Sequence, residues 1–231
     1  MREIVLDTET TGLDPADGHR IVEIGAVELI NQLPTGRTYH QYVNPRRPMP
    51  KEAFDVHGIS DEQLRSQPVF AAIGQAFLDF LGDAQMVIHN AAFDMKFLNY
   101  ELEAAGLPTL PYARATDTLM IARQKFPGAS NTLDALCRRF GVNNSMREKH
   151  GALLDSELLA EVYLELIGGR QPDFGLGTVT AAQSQDDATG STWRPRPRPE
   201  PLPPRITPEE SAAHAKMVAK LGTGMIWTRR S

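Results

Sequence analysis

Four carboxylates and one histidine are placed along the chain where their side chains could hold divalent cations and move a proton. They are Asp7, Glu9, Asp94, His150 and Asp155. Asp7 and Glu9 follow the apolar run Ile4-Val5-Leu6, which predicts a buried strand, and alternation along a strand puts both carboxylates on one face. Two acids on one face of a core strand repel each other and are costly to desolvate. We therefore expect positive charge between them.

Phosphodiester hydrolysis is the chemistry that fits this set. It needs an activated water and stabilised charge on the phosphoryl oxygens, and two divalent cations held by carboxylates supply both. Oxygen ligands favour Mg²⁺ or Mn²⁺, so we expect two such ions per site. Asp7 is expected to bridge them, with Glu9 and Asp155 on one ion and Asp94 on the other. His150 is the expected general base, because it precedes an acid that opens an apolar helix and imidazoles accept protons at neutral pH.

Length and composition predict one domain of ordinary size with an appendage. The chain has 231 residues, of which 41% are hydrophobic and 23% charged, as in soluble globular proteins. No run approaches the roughly 20 apolar residues of a membrane helix. The N-terminus lacks the basic and apolar regions of a signal peptide, so we expect a cytoplasmic protein without membrane contact. The single Cys137 excludes an intramolecular disulfide and is expected in the core.

The charge is distributed unevenly. Residues 1–170 carry 16 Lys+Arg against 23 Asp+Glu, a net of −7, whereas residues 193–231 carry 8 against 3, a net of +5. An acidic body with a metal-filled site can process a polyanion, but it binds that polyanion weakly and releases it readily. We therefore expect another subunit to hold the substrate.

Hydrophobic patterning predicts an α/β fold for residues 1–170. Strands are expected at 2–7, 20–30 and 37–43, and their short connections require antiparallel neighbours. A further short strand is expected at 86–88, and another strand is expected to end at 116–118. Helices are expected at 69–81, 92–105, 118–124, 131–140 and 152–167. Early strands followed by strand–helix alternation indicate a mixed sheet flanked by helices.

The composition changes beyond residue 170. Residues 171–205 are rich in Gln, Gly and Pro and predict a flexible linker. Residues 206–231 contain a helical segment, expected at Ser211–Leu221, and the apolar Met225-Ile226-Trp227. A short helix and an exposed tryptophan bury little by themselves, so this tail is expected to bind a partner surface.

The motifs DTETTG, HNAAFD and H-x4-D resemble those of the DEDD superfamily in its histidine-containing branch, which comprises 3′→5′ exonucleases. Across residues 2–170, through IVEIGAVE, EAFDVHGI and FPGASNTLDALCRRF, the chain is similar to the proofreading (epsilon) subunits of bacterial DNA polymerase III. The resemblance implies a ribonuclease-H-like, mixed five-stranded sheet and removal of mispaired 3′-terminal nucleotides of DNA. It also implies metal-binding roles for the four carboxylates named above and a base role for His150.

Further residues match substrate positions of that family. Glu9, Leu13, Glu52 and His57 match residues that approach the terminal nucleotide of a single-stranded DNA 3′ end. Each of the last three also has a structural interpretation. Glu52 could be a solvated helix residue, His57 a loop cap, and Leu13 a cover for the core.

The resemblance also implies protein partners. The peptide Gln171–Leu176 is similar to a sliding-clamp-binding motif, and residues 206–231 resemble the segment that docks on the polymerase alpha subunit. A small theta-like accessory subunit is a further partner of that family. Two other functions fit parts of the pattern: a stand-alone exonuclease acting on RNA or oligonucleotide 3′ ends, and a non-catalytic adaptor between polymerase and clamp. The appended tail argues against the first, and the complete set of five polar residues argues against the second.

Overall fold

A mixed five-stranded sheet, in the order β3-β2-β1-β4-β5, organises the part of the chain that contains the motifs. β1 pairs antiparallel with β2 and β2 with β3, whereas β4 runs parallel to β1 and β5 parallel to β4. The expected mixed five-stranded sheet is therefore confirmed. The strands are β1 (Arg2–Thr10), β2 (Ile21–Ile30), β3 (Leu33–Tyr42), β4 (Gln85–Ile88) and β5 (Ala115–Asp117).

Eight α-helices are present in the described part of the chain. The computed structural model describes residues 1–147, 149–168 and 206–220. The chain divides into two units, Met1–Gly177 and Thr178–Ser231. The helices of the first unit are α1 (Lys51–His57), α2 (Asp61–Leu64), α3 (Phe70–Leu81), α4 (Ala91–Ala104), α5 (Thr118–Lys125), α6 (Leu133–Phe140) and α7 (Ala152–Leu166). The second unit contains α8 (Pro208–Lys220).

Alternation along β1 divides the core into two layers. Ile4 and Leu6 are fully buried and belong to the cluster formed with α3 and α4. Val5 points the other way, into the cluster formed with α6 and α7. Burial of each such side chain contributes roughly 1.5–3 kcal/mol to stability. Asp7 and Glu9 continue the Val5 side of the strand, so the two acids face α7.

Two strands differ from the sequence-based expectation. β1 continues to Thr10, so both acids lie within the strand instead of closing it. β3 begins at Leu33, four residues before the predicted start at 37, because Asn31 and Gln32 adopt left-handed backbone angles (φ 50° and 68°) and close a tight hairpin. An Asn-Gln pair is a weak hairpin signal because it lacks the glycine that favours such turns.

The helix boundaries agree with the expectation within a few residues, except at the caps. The helix expected at 131–140 is α6, which begins two residues later at Leu133, and Thr132 caps it by accepting from the Ala135 N–H. α8 begins at Pro208, ahead of the expected Ser211. Cys137 is fully buried, as expected. No helix in the described ranges combines the length and apolar character needed to cross a bilayer.

Candidate active site

A close contact between β2 and α7 brings Asp155 beside the β1 acids. Gly25 lies opposite Asp7 in the antiparallel register. A Cβ on Gly25 would stand 2.1 Å from the carbonyl carbon of Ala152, so only glycine lets α7 come this close to the strand. The Ser156 hydroxyl donates to the Gly25 carbonyl at 2.9 Å. Asp155, in the first turn of α7, is thereby fixed against β1.

Glu23 anchors the start of the same helix. It lies opposite Glu9 in the register, and its Oε2 accepts from the Ala152 N–H at 3.1 Å. Its Oε1 is 2.6 Å from His40 Nε2. Because Gly151 at the N-cap has no side chain, the Glu23 carboxylate takes the place of a capping residue and complements the positive end of the helix.

Asp94 is held against β1 by hydrogen bonds from the strand. It lies in the first turn of α4 and is 3% exposed. Its Oδ1 accepts from the Thr8 N–H at 3.1 Å and from the Thr8 hydroxyl at 2.7 Å. α4 begins after Asn90, which adopts a left-handed conformation (φ 69°) and whose N–H donates to Asp117 Oδ1. The left-handed residue thus directs the first turn of α4, which carries Asp94, toward the β1 acids.

The pKa values of these acids reflect how closely their carboxylates approach one another. Burial raises the pKa of Asp7 well above its usual value, and the charges of Asp94, Glu9 and Asp155 raise it further. Burial and the Asp155 charge raise the pKa of Glu9 to about 8. Burial also raises the pKa of Asp94 to about 7, although the Thr8 hydrogen bonds oppose the shift. A cluster of this kind needs more positive charge than its protein neighbours supply.

Arg147 is the cation that the structure places in this cluster. Its side chain is 7% exposed, and its Nε and Nη2 donate to the two oxygens of Asp155 at 2.5 and 2.7 Å. Nη1 donates to Asp134 Oδ1 at 2.7 Å, and Nη2 is 2.8 Å from His150 Nδ1. Burial raises the pKa of Asp155, but its contacts with His150 and Arg147 outweigh burial and lower that pKa overall.

Three side chains form a group that could hold a cation. Single ligand atoms of Glu9, His150 and Asp155 all lie within 4.8 Å of one another. Asp7 and Asp94 fall outside this tightest group, although Asp7 is close enough for both Glu9 and Asp155 to raise its pKa. Hard carboxylate oxygens in excess, crowded and partly desolvated, fit a divalent cation such as Mg²⁺ or Mn²⁺.

Two cavities adjoin the acids, and no residue lines both. The first, of about 580 Å³, is lined by Glu9, Leu13, Glu52, His57 and Phe93 among others. The second, of about 730 Å³, is lined by residues that include Asp7, His150 and Asp155. The acids therefore lie where two spaces large enough for parts of a ligand come together.

The residues expected to contact substrate all line the first cavity. Leu13 is 83% exposed, so it does not cover the core. Glu52 is exposed on α1. His57 is buried at the end of α1, and its Nδ1 accepts from the Ile59 N–H at 3.0 Å. Its buried Nε2 has no hydrogen-bond partner in the described part of the chain.

The model of the Exonuclease family matches residues 4–163, a span that contains all five motif residues. The chain belongs to the exonuclease family. The exonuclease is 56% identical over 177 residues to the DNA polymerase III subunit epsilon of Rickettsia felis, covering 75% of this chain and 77% of that one. Its identity with the same subunit of Escherichia coli K12 is 43% over 236 residues, covering 98% of this chain and 97% of the other.

Solved structures agree on the fold of the exonuclease. The nuclease domain of 3′hExo, described as a DEDDh family member bound to rAMP, superposes with a TM-score of 0.63 at 21% identity, covering 72% of this chain and 91% of that one. Exonuclease X in complex with 5′-overhanging duplex DNA superposes with a TM-score of 0.55 at 24% identity, covering 71% and 90%. The ribonuclease-H-like exonuclease fold is thus confirmed. Exonucleases of the DEDDh group use divalent metal ions.

Sequence reasoning missed several polar residues around the acids of the exonuclease. Arg147, Asp134 and Glu23 carry no local pattern that marks them as neighbours of the acids. One signal was available for Arg147. Four acids gathered in a core require a protein cation nearby, and Arg147 stands three residues before His150 in the same loop.

Proposed function

We propose that this exonuclease proofreads replicative DNA synthesis, removing mispaired 3′-terminal nucleotides within a DNA polymerase III core. The observation that carries the proposal is the meeting of the acids and His150 at the junction of two cavities. The names of the relatives in Rickettsia felis and Escherichia coli support it. Neither a stand-alone enzyme for RNA or oligonucleotide ends nor a non-catalytic adaptor gains comparable support.

In this proposal the carboxylates of Asp7, Glu9, Asp94 and Asp155 hold two Mg²⁺ or Mn²⁺ ions. When bound, these ions supply charge stabilisation for the phosphoryl oxygens and the leaving oxygen. The raised pKa values of Glu9 and Asp94 support the assignment, because a carboxylate crowded by other acids gains most from a nearby cation. Thr8 orients Asp94 through two hydrogen bonds to one oxygen, which leaves the other oxygen available as a ligand.

His150 accepts a proton from the attacking water in the proposed reaction. Its side chain is 49% exposed, so solvent and substrate can reach it. His150 Nδ1 lies 2.8 Å from Arg147 Nη2 and 3.4 Å from Asp155 Oδ2, so these neighbours occupy that nitrogen while Arg147 stays in place. For His150 and Asp155 to act, Arg147 must withdraw from both, and its ion pair with Asp134 gives it a place to remain.

The first cavity takes the terminal nucleoside in this proposal. Leu13 and Phe93 offer apolar surface for the base, the Glu52 carboxylate offers a polar contact, and His57 lies in the wall of the cavity. A nucleotide must leave its duplex to enter such a cavity, and a mismatched terminus frays at lower cost than a paired one. Selectivity for errors then follows from fraying, without any reading of base edges.

A primer-degradation assay tests this function. With Mg²⁺, the protein is expected to release 5′-mononucleotides from a 3′-mismatched primer faster than from a matched one. His150→Ala should lower turnover by about 10²–10⁴-fold with little change in KM, because it removes a proton acceptor and no binding contact. An unaltered protein that leaves mismatched DNA intact would refute the function. An equal effect of His150→Ala on turnover and KM would make His150 a structural residue.

We also propose that residues 206–231 bind the polymerase alpha subunit. The described helix α8 buries none of its residues, and Ile206 and Met217 are 67% and 52% exposed. A thirteen-residue helix that buries none of its residues is marginal in water, so a partner surface would stabilise it. The similarity to the Escherichia coli subunit extends over 98% of this chain and so reaches this segment.

Truncation tests the tail assignment. A chain ending at residue 190 should lose co-purification with the large polymerase subunit while degrading free single strands at the rate of the full chain. Retention of the complex by the truncated chain would contradict the assignment. The linker at 171–205, its clamp peptide Gln171–Leu176 and the end of the tail with Trp227 lie outside the described residues, and these predictions, like that of a theta-like subunit, remain predictions.

A further inference from the structure

The second cavity is lined by a cation, Arg123, that pairs with none of the residues that the structure describes. Arg123, in the last turn of α5, lines this cavity and is exposed. It takes part in none of the hydrogen bonds, ion pairs or ring contacts found among the described residues. Arg147 lines the same cavity but pairs with Asp155 and Asp134, and it keeps the Asp134 pair when it withdraws from Asp155. Of the acids that line this cavity, Asp134 is thus paired with Arg147, Asp7 and Asp155 belong to the proposed cation site, and the charge of Arg123 is left for a ligand.

Away from the acids, His150 and the two arginines, the walls of the cavity are polar and uncharged or apolar. The His89 ring lies in the wall with its Nδ1 2.9 Å from the Thr118 hydroxyl. Asn90 contributes an exposed amide, and Leu119 contributes apolar surface. Arginine, uncharged polar groups and apolar surface together suit a phosphodiester joined to a sugar and a base.

Strand direction assigns the two cavities to different nucleotides. This step rests on the proposed function. An enzyme that releases 5′-mononucleotides from a 3′ end holds the terminal nucleoside on one side of the scissile phosphate and the O3′ of the preceding nucleotide on the other. With the terminal nucleoside in the cavity of Leu13 and His57, the rest of the strand must leave through the remaining space beside Asp7 and Asp155.

We infer that the 730 Å³ cavity binds the nucleotide on the 5′ side of the scissile phosphate and that Arg123 contacts a phosphate of this upstream strand. The ligand is a single-stranded oligonucleotide backbone, bound without sequence preference. Arg123 is a positioning residue for the leaving strand, so its contribution depends on whether the substrate has an upstream nucleotide.

Two substrates distinguish a role of Arg123 in binding the upstream strand from a role at the catalytic carboxylates. One is a single-stranded oligonucleotide, and the other is the p-nitrophenyl ester of thymidine 5′-monophosphate, which has the terminal nucleotide but no upstream strand. Arg123→Gln should raise KM for the oligonucleotide by about 5–10-fold, as expected for one lost phosphate contact. Hydrolysis of the ester should stay within about twofold of that of the unaltered protein.

Binding of a single strand measured in Ca²⁺, where no cleavage is needed, also tests whether Arg123 contacts the strand. This measurement works even if the protein proves inactive. Fluorescence anisotropy with a labelled single strand should give Arg123→Gln a slope of log Kd against log salt that is smaller by about 0.7. Lys125→Gln is the matched control, because Lys125 is exposed in the same helical turn but lines neither cavity, and it should behave as the unaltered protein.

Two results would overturn the inference: unchanged binding and cleavage of the oligonucleotide by Arg123→Gln, or equal losses on both substrates. Failure of the unaltered protein to hydrolyse either substrate would instead refute the proposed function. In that event the anisotropy measurement still decides whether Arg123 contacts the strand.

Discussion

Asp7→Asn is expected to lower kcat/KM for removal of a 3′-terminal nucleotide by about 10⁴-fold, the scale of loss when one member of a catalytic group is removed. Asp7 is the acid whose pKa is raised by all three of its carboxylate neighbours, which places it centrally among them. An amide at this position keeps the shape of the side chain but supplies no negative charge to hold a cation. Release of mononucleotides from a labelled primer measures the loss.

The same substitution should stabilise the protein in the absence of divalent cations. Burial and three nearby acids disfavour the Asp7 carboxylate, so a neutral amide relieves repulsion and should raise the free energy of unfolding by about 1–3 kcal/mol in EDTA. Urea denaturation measures this change. Asp83→Asn, at an exposed acid that lines neither cavity, should change neither activity nor stability. An active Asp7→Asn protein would contradict the cation-binding role, and a destabilised one would show that the carboxylate is structurally required.

The positions of the acids could be predicted from sequence because each depends on local structure. Strand alternation put Asp7 and Glu9 on one face, and helix-start signals put Asp94 and Asp155 in first turns. The family resemblance then supplied the expectation that these elements converge. Periodicity alone could not have done so, since it does not reveal which strands pair.

The contacts that fix the geometry could not be predicted in this way. Gly25 reads as an ordinary interruption of a strand until α7 is seen packed against it. Glu23 and His40 lie on different strands, and their contact depends on the register of β2 with β3. The β3 boundary was wrong because the hairpin has no glycine signal. Each failure involves a partner distant in sequence or a turn that departs from the common residue preferences.

Arg147 reduces the electrostatic repulsion among the acids of the active site. The guanidinium offsets part of the acid cluster, and its removal would leave Asp155 and Asp134 without their shared partner. In the proposed function Arg147 and a divalent cation would compete for Asp155, because the guanidinium donates to both oxygens of that carboxylate. Proton binding, arginine pairing and cation binding would then be linked in this site.

This linkage predicts an unusual pH dependence for the free energy of unfolding measured in EDTA. The folded-state pKa of Glu9 is raised from 4.5 to about 8 and that of Asp94 from 3.8 to about 7. The folded protein therefore holds protons that the unfolded chain releases, and their stabilising effect is lost as pH rises through this range. Asp155 has the opposite pH dependence. Its pKa is lowered in the folded protein, so its stabilising contribution is lost only when pH falls through the acidic range. Between about pH 4.5 and 8, the free energy of unfolding should fall.

Mn²⁺ should reverse this loss. Bound cation replaces the protons, so saturating Mn²⁺ should add about 2–4 kcal/mol at pH 8 and less than about 1 kcal/mol at pH 5.5, where protons compete for the carboxylates. Urea denaturation at both pH values, in EDTA and in Mn²⁺, measures the increments. Glu9→Gln should reduce the dependence of the unfolding free energy on pH in EDTA. It should also reduce the stabilisation that Mn²⁺ adds at pH 8, whereas Asp83→Asn should alter neither quantity.

Arg147→Gln distinguishes competition at the acids from a general effect of the cation on the fold. With the guanidinium gone, Asp155 is free as a ligand, so Mn²⁺ binding followed by electron paramagnetic resonance should tighten while the EDTA form becomes less stable. Weaker Mn²⁺ binding in this variant would mean that Arg147 orients the ligands instead of competing for them. A Mn²⁺ increment that is equal at pH 5.5 and 8 would mean that the cation binds away from Asp7, Glu9 and Asp94, because protons and cations exclude each other at these carboxylates.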